Sequence, residues 1–147
     1  LFERSLERCL ICPSSILLHH TIFRQIGFFD LNLTICEDYD FWLRLLLSYQ
    51  VELVDEPLVI KTGGHSDQLS TSAWGLDRFR IQSLEKILKT ETLISHQKKL
   101  ILETIVRKAE LLAKGFIKHG KELEAGNYLS KKDKALENLA LINTASN

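Results

Sequence analysis

Glu37 and Asp38 are the side chains of this sequence best placed to do chemistry. They stand side by side after an irregular polar loop, at the start of a segment of helical period, with Tyr39 and Trp42 close behind. A carboxylate held beside a bound alcohol can act as a general base, accepting the proton late, as the oxygen becomes nucleophilic. The same residues suit the positive end of a helix dipole with no function at all, so position alone leaves both readings open. A second group lies in Lys61-Thr62-Gly63-Gly64-His65-Ser66-Asp67-Gln68-Leu69-Ser70. Glycines let backbone approach a ligand closely, while Lys61 and His65 bring a cation and an imidazole suited to phosphate or a metal. It is not a P-loop, because Gly-Lys-Ser/Thr is missing, and a plain loop after a strand reads the same way. The third group is Cys9-x-x-Cys12 with Cys36. A structural zinc site needs four ligands, and no second cysteine pair or His-x3-His cluster completes one. A metal-binding module that adds a histidine to the three cysteines is the costlier reading, and small apolar thiols are the plainer one.

The elements that position these groups can be read from period and punctuation. Pro13 disfavours helix at Cys12, and residues 14–18 read as a short buried strand. Thr21 caps a short helix that Gly27 stops. An amphipathic helix runs from Glu37 to about Tyr49, with Phe41, Leu45 and Tyr49 on one face and Trp42 and Leu46 beside it. Residues 51–54 and 58–61 read as strands around Asp55-Glu56-Pro57, and a helix follows from about Ala73 to Leu88. Beyond residue 90 the chain has no proline, is rich in Lys and Glu, and is helical in period. There Ser95 caps a long helix to about His119, striped by Ile101, Ile105, Leu112 and Phe116 and closed by Gly120. A second helix from Lys121 to about Leu129 and a third to about Leu141 complete a hairpin similar to a single tetratricopeptide unit. One such hairpin pads a domain or binds a partner helix, since an array needs neighbouring repeats. The expectation is a mixed, helix-rich α/β protein with a domain over 1–90 and a helical tail over 91–147.

Composition narrows the function classes. The 147 residues carry 19 basic and 19 acidic side chains, and without a basic surplus a nucleic-acid partner is not expected. No run approaches the roughly 18 apolar residues of a membrane span. Glu3, Arg4, Glu7 and Arg8 occupy the place of a signal peptide's apolar core. An odd count of 3 cysteines fits reduced thiols and a cytoplasmic location. With 0 methionines, the sequence is expected to be a truncated or partial product.

Taken in order, several segments resemble family 2 glycosyltransferases. They are Cys12-Pro13-Ser14-Ser15-Ile16-Leu17-Leu18, Ile26-Gly27-Phe28-Phe29-Asp30, Glu37-Asp38-Tyr39-Asp40-Phe41-Trp42-Leu43-Arg44, Glu56-Pro57-Leu58 and Gly64-His65-Ser66-Asp67-Gln68-Leu69-Ser70. The resemblance covers about residues 1–90 and implies the acceptor-side, C-terminal half of a GT-A-like nucleotide-diphospho-sugar transferase fold. It implies inverting transfer of a sugar from a nucleotide-diphosphate donor to an acceptor hydroxyl, as in polysaccharide biosynthesis. Asp38 would then be the base and Glu37 its orienting partner. His65 would lie near a divalent cation (Mg²⁺ or Mn²⁺) or the diphosphate, with Lys61 on the same side, and Trp74 would line the acceptor side. Trp42 and Arg44 would brace the helix. The nucleotide-binding half and its Asp-x-Asp metal motif are not in this sequence, since Asp38-Tyr39-Asp40 belongs to the base motif. The chain alone is therefore expected to be inactive. The competing expectation is a non-catalytic module that binds a protein partner through the helical tail.

Overall fold

The computed structural model describes residues 1–60, 62 and 74–145. The chain divides into two compact units, Leu1–Leu76 and Asp77–Asn147.

In the first unit a six-residue helix α1 (Phe2–Glu7) is followed by a 3₁₀ turn at Pro13–Ser15, by α2 (Ile22–Ile26) and by α3 (Glu37–Ser48). Helix α3 is the centre of this unit. Every residue from Tyr39 to Leu45 is buried, which gives a helix covered on all sides rather than along one stripe. Phe41, Trp42 and Leu45 form the core, packed by Ile11, Ile16, Phe23, Phe29 and Val51. The rings of Phe29 and Phe41 lie 4.7 Å apart, and those of Phe41 and Trp42 meet edge-on at 5.0 Å. On another side the Tyr39 hydroxyl donates to the Leu6 carbonyl at 2.7 Å, which ties α1 to α3. Burial of Trp42 leaves its Nε1 without a hydrogen-bond partner among the described residues.

The expected α/β architecture is overturned, because no β-strand forms among the described residues. Residues 14–18 begin inside the 3₁₀ turn, where Ser15 N–H donates to the Cys12 carbonyl at 2.9 Å. Residues 51–54 and 58–60 belong to no helix or strand. Between residues 50 and 60 the one backbone hydrogen bond among the described residues is Leu58 N–H to the Glu56 carbonyl, a tight turn at Pro57. Leu53, Val54, Leu58 and Ile60 are exposed. Strand-forming residues do not make a strand without an adjacent chain to exchange hydrogen bonds with, and none does so with these segments among the described residues.

The second unit is built from three helices, α4 (Asp77–Thr90), α5 (Ser95–Lys118) and α6 (Glu122–Ala145). Both α4 and α6 pack on α5. Helix α4 buries Ile81, Leu84 and Ile87, while α5 buries the expected Ile101, Ile105, Leu112 and Phe116 together with Leu102 and Ala109. Ser95 is the first residue of α5 rather than its cap; Ile94 precedes it, and its N–H donates to Gln97 Oε1 at 3.1 Å. The turn after α5 is closed by Gly120 at φ 69°. Gly120 N–H reaches the Ile117 carbonyl at 3.0 Å and Lys121 N–H reaches that of Phe116 at 2.9 Å, the paired bonds of a Schellman cap. The two short tail helices expected after Gly120 are one continuous helix: Gly126 is accommodated within it, and no proline breaks it. Its face is held by small Ala125 and Ala135 and by Tyr128, whose ring stacks on Phe116 at 5.5 Å. Asp77 joins Lys108 and Arg80, each at 2.9 Å. Burial works to raise the Asp77 carboxyl, but those two cations hold it below the usual carboxylate range.

Candidate functional site

The site is organised at the junction between the loop ending at Cys36 and the first turn of α3. Cys36 itself adopts a left-handed conformation, φ 64° and ψ 24°, and is the one described non-glycine residue with positive φ. That geometry turns the chain sharply, so that Glu37 and Asp38 open the helix directly after the loop. No side chain caps α3 from the Cys36 position, although Asp40 N–H bonds the Cys36 carbonyl at 3.2 Å.

The acidic residues of the first turn then divide in role. Asp40 is fully buried and is consumed structurally: Arg44 Nε donates to its Oδ2 at 2.9 Å. The same guanidinium reaches back to the loop, with Nη1 donating to the Ile26 carbonyl and Nη2 to the Phe28 carbonyl at 2.8 Å. The two carbonyls flank Gly27, whose φ of 79° aims them at the guanidinium and is open to glycine with little strain. Gly27, Asp40 and Arg44 are therefore one device. A buried carboxylate, a planar fork of donors and a left-handed glycine clamp the α2–α3 loop against α3.

Glu37 and Asp38 are left outside this clamp, both half-buried. Asp38 Oδ1 accepts the Tyr39 N–H at 2.7 Å, satisfying one donor of the first helical turn. Asp38 Oδ2 accepts from the Cys9 thiol at 3.4 Å. Burial pushes the Cys9 thiol up from its ordinary value to about 12, and the neighbouring Asp38 charge adds to the shift, so at neutral pH Cys9 is a protonated donor. Each carboxylate oxygen carries two lone pairs, and these contacts leave capacity to accept a proton. The Cys9 contact spans 29 residues and had no signal in the sequence, where Cys9 stood out only for its spacing to Cys12.

The remaining candidates do not join the pair. Lys61 and His65 lie outside the described residues. Trp74 is half-exposed, which is compatible with lining a surface but does not itself define one. None of the three cysteines is in a disulfide, and no group of three His, Cys, Asp or Glu side chains converges among the described residues. The donor set present there does not fit a divalent cation, so no chemical step is derived through one.

A different concavity lies in the helical unit. A groove of about 760 Å³ runs between α4, α5 and α6, floored by Leu102, Ile105 and Ala135 and edged by Lys89, Lys98 and Lys134.

No family model, curated protein or solved structure matches the chain. Together with a helical architecture that lacks strands among the described residues, this overturns the assignment to family 2 glycosyltransferases and to half of a GT-A fold. The short segments that suggested it are real features of the sequence. What the structure assigns to Gly27, Asp40 and Arg44 is a clamp, and a clamp does not require a nucleotide-binding sheet. Among the described residues no helix is long and apolar enough to cross a membrane.

Proposed function

We propose that the first unit contributes the acceptor side of an enzyme that transfers a sugar from a nucleotide-diphosphate donor to a hydroxyl, with inversion at the anomeric carbon. The observation that supports this reading is the division of labour in α3. The Asp40–Arg44 clamp holds the loop and the helix together, and it leaves the neighbouring Glu37–Asp38 pair half-exposed with free lone pairs. Asp38 accepts the acceptor's proton while the alcohol oxygen attacks opposite the departing diphosphate, and Glu37 orients the hydroxyl. Cys9 and the Tyr39 N–H hold the Asp38 carboxylate in a fixed rotamer, which favours a positioned base over a mobile surface charge. The side chains, and not the fold, support this reading. On this reading the described residues take the acceptor's proton and supply no donor pocket, so transfer is not expected from the chain alone. Its unbridged thiols suit a reducing compartment, and we place it in the cytoplasm.

The test is a transfer assay with a panel of nucleotide sugars and Mn²⁺, run on the chain alone and on the product of its whole reading frame. Transfer is expected only from the latter. Asp38→Asn is expected to abolish it while donor binding stays within about twofold, because that change removes only the proton acceptor. An Asn variant that turns over at the parent rate ends the assignment.

A second reading attaches to the helical unit as a module that binds a protein partner. The groove between its three helices favours it.

A further inference from the structure

The geometry points to an acidic amphipathic α-helix of about three turns, carried by a partner protein, as the occupant of the groove between α4, α5 and α6. The inference rests on the partner-binding reading of the helical unit and deepens it by naming the partner's chemistry.

Length comes first. The α6 wall is lined at Ser130, Lys134, Asn138 and Ile142, one stripe at four-residue spacing. From the first to the last is 12 residue steps, or about 18 Å at 1.5 Å per residue, which matches a helix of about three turns. The floor comes next. Leu102, Ile105 and Ala135 close the bottom of the groove from two helices and are themselves buried; the apolar surface open to a Leu or Ile stripe comes from half-buried Leu88 and Ile142 and exposed Leu141. No aromatic side chain lines the groove, which removes the stacking platform a single-stranded nucleic acid would use.

Charge selects the partner. Four lysines and one glutamate line the groove. Glu85 is already paired, with both its oxygens 2.6 Å from Lys131 Nζ. Lys89, Lys98 and Lys134 remain, one from each helix, exposed and in no ion pair among the described residues. The N-terminal end of α5 also opens onto the groove at Ser95 and adds the positive end of its dipole. The chain as a whole has zero net charge, so this concentration of positive potential around an apolar trough is local. A helix with Asp or Glu on both flanks of its apolar stripe complements it, whereas a basic helix meets repulsion.

The experiment titrates the full 147-residue chain into two fluorescein-labelled 14-residue peptides. Each has Leu at i, i+3, i+4, i+7 and i+11; one carries Glu on the flanks and the other Lys. The Glu peptide is expected to bind saturably and to weaken with added salt, while the Lys peptide does not bind. Reversing all three exposed cations (Lys89→Glu, Lys98→Glu, Lys134→Glu) is expected to weaken the Glu peptide about tenfold or more, with the helical circular-dichroism signal unchanged. Equal binding of both peptides, indifferent to the reversal, overturns the acidic-helix inference and leaves the partner-binding reading standing. Binding of neither overturns both. Displacement of the Glu peptide by monomeric laurate at lower concentration than unlabelled peptide overturns it in favour of an anionic amphiphile.

Discussion

Replacing Arg44 by alanine tests the clamp that the candidate site depends on. Arg44 is 7% exposed and its partner Asp40 is 0% exposed, so the substitution strands a carboxylate in the core. It also removes the donors to the Ile26 and Phe28 carbonyls. Breaking a buried pair by removing one partner costs about 3–5 kcal/mol. Small domains hold only about 5–15 kcal/mol in total, so most of the first unit's stability is at stake. With a urea slope of about 1 kcal/mol per molar, the midpoint should fall by about 3 M or the transition should vanish. Trp42, buried in this unit, is the natural fluorescent reporter, and a Trp74→Phe background removes the other tryptophan. Arg44→Lys should fall between the two, because a point charge replaces one arm of a three-armed fork. The double variant Asp40→Ala/Arg44→Ala should recover part of the loss, since no charge is left behind, but not all, since the two loop carbonyls stay without a donor. An Arg44→Ala midpoint within about 0.5 M of the parent would show that Asp40 is not buried as an ion, and the clamp would fall with it.

Three further outcomes can be checked directly. At pH 8 the Cys9 thiol, raised from 9.0 to about 12, should hold about a thousandfold less thiolate than an ordinary cysteine and resist iodoacetamide, as read by mass spectrometry; labelling at the rate of a free thiol refutes it. The same shift makes the folded unit keep a proton that the unfolded chain loses, so its stability should decline as pH rises from about 9 toward about 12. Gly120→Ala forces a side chain into φ 69° in open space, so its cost is conformational alone, about 1 kcal/mol. The helical unit should melt about 4–8 °C lower, and an unchanged Tm would refute the Schellman cap.

How much was legible in the sequence follows from where each signal lives. Helix α3 and its start were legible because acidic residues, an apolar period and a preceding loop act within a dozen residues. Helix α5, its buried stripe and its closing glycine were legible for the same local reason. In the sequence a bracing role for Arg44 was legible only through the family resemblance; its pairing with Asp40, four residues away on one helix face, is shown by the structure. What the sequence could not decide was anything that needs a second segment. Residues 51–54 and 58–60 carry strand-forming side chains, yet a strand exists only when another chain segment exchanges hydrogen bonds with it, and among the described residues none does. The contact of Cys9 with Asp38 and the return of Arg44 to the carbonyls around Gly27 cross 16 to 29 residues and leave no periodic trace. The groove depends on two helices, α4 and α6, resting on a third, so its lysines are neighbours in space though scattered from 89 to 134 in sequence. Local period and charge determined the helices of this protein; only packing decided which of its charges were consumed in the interior and which were left at the surface.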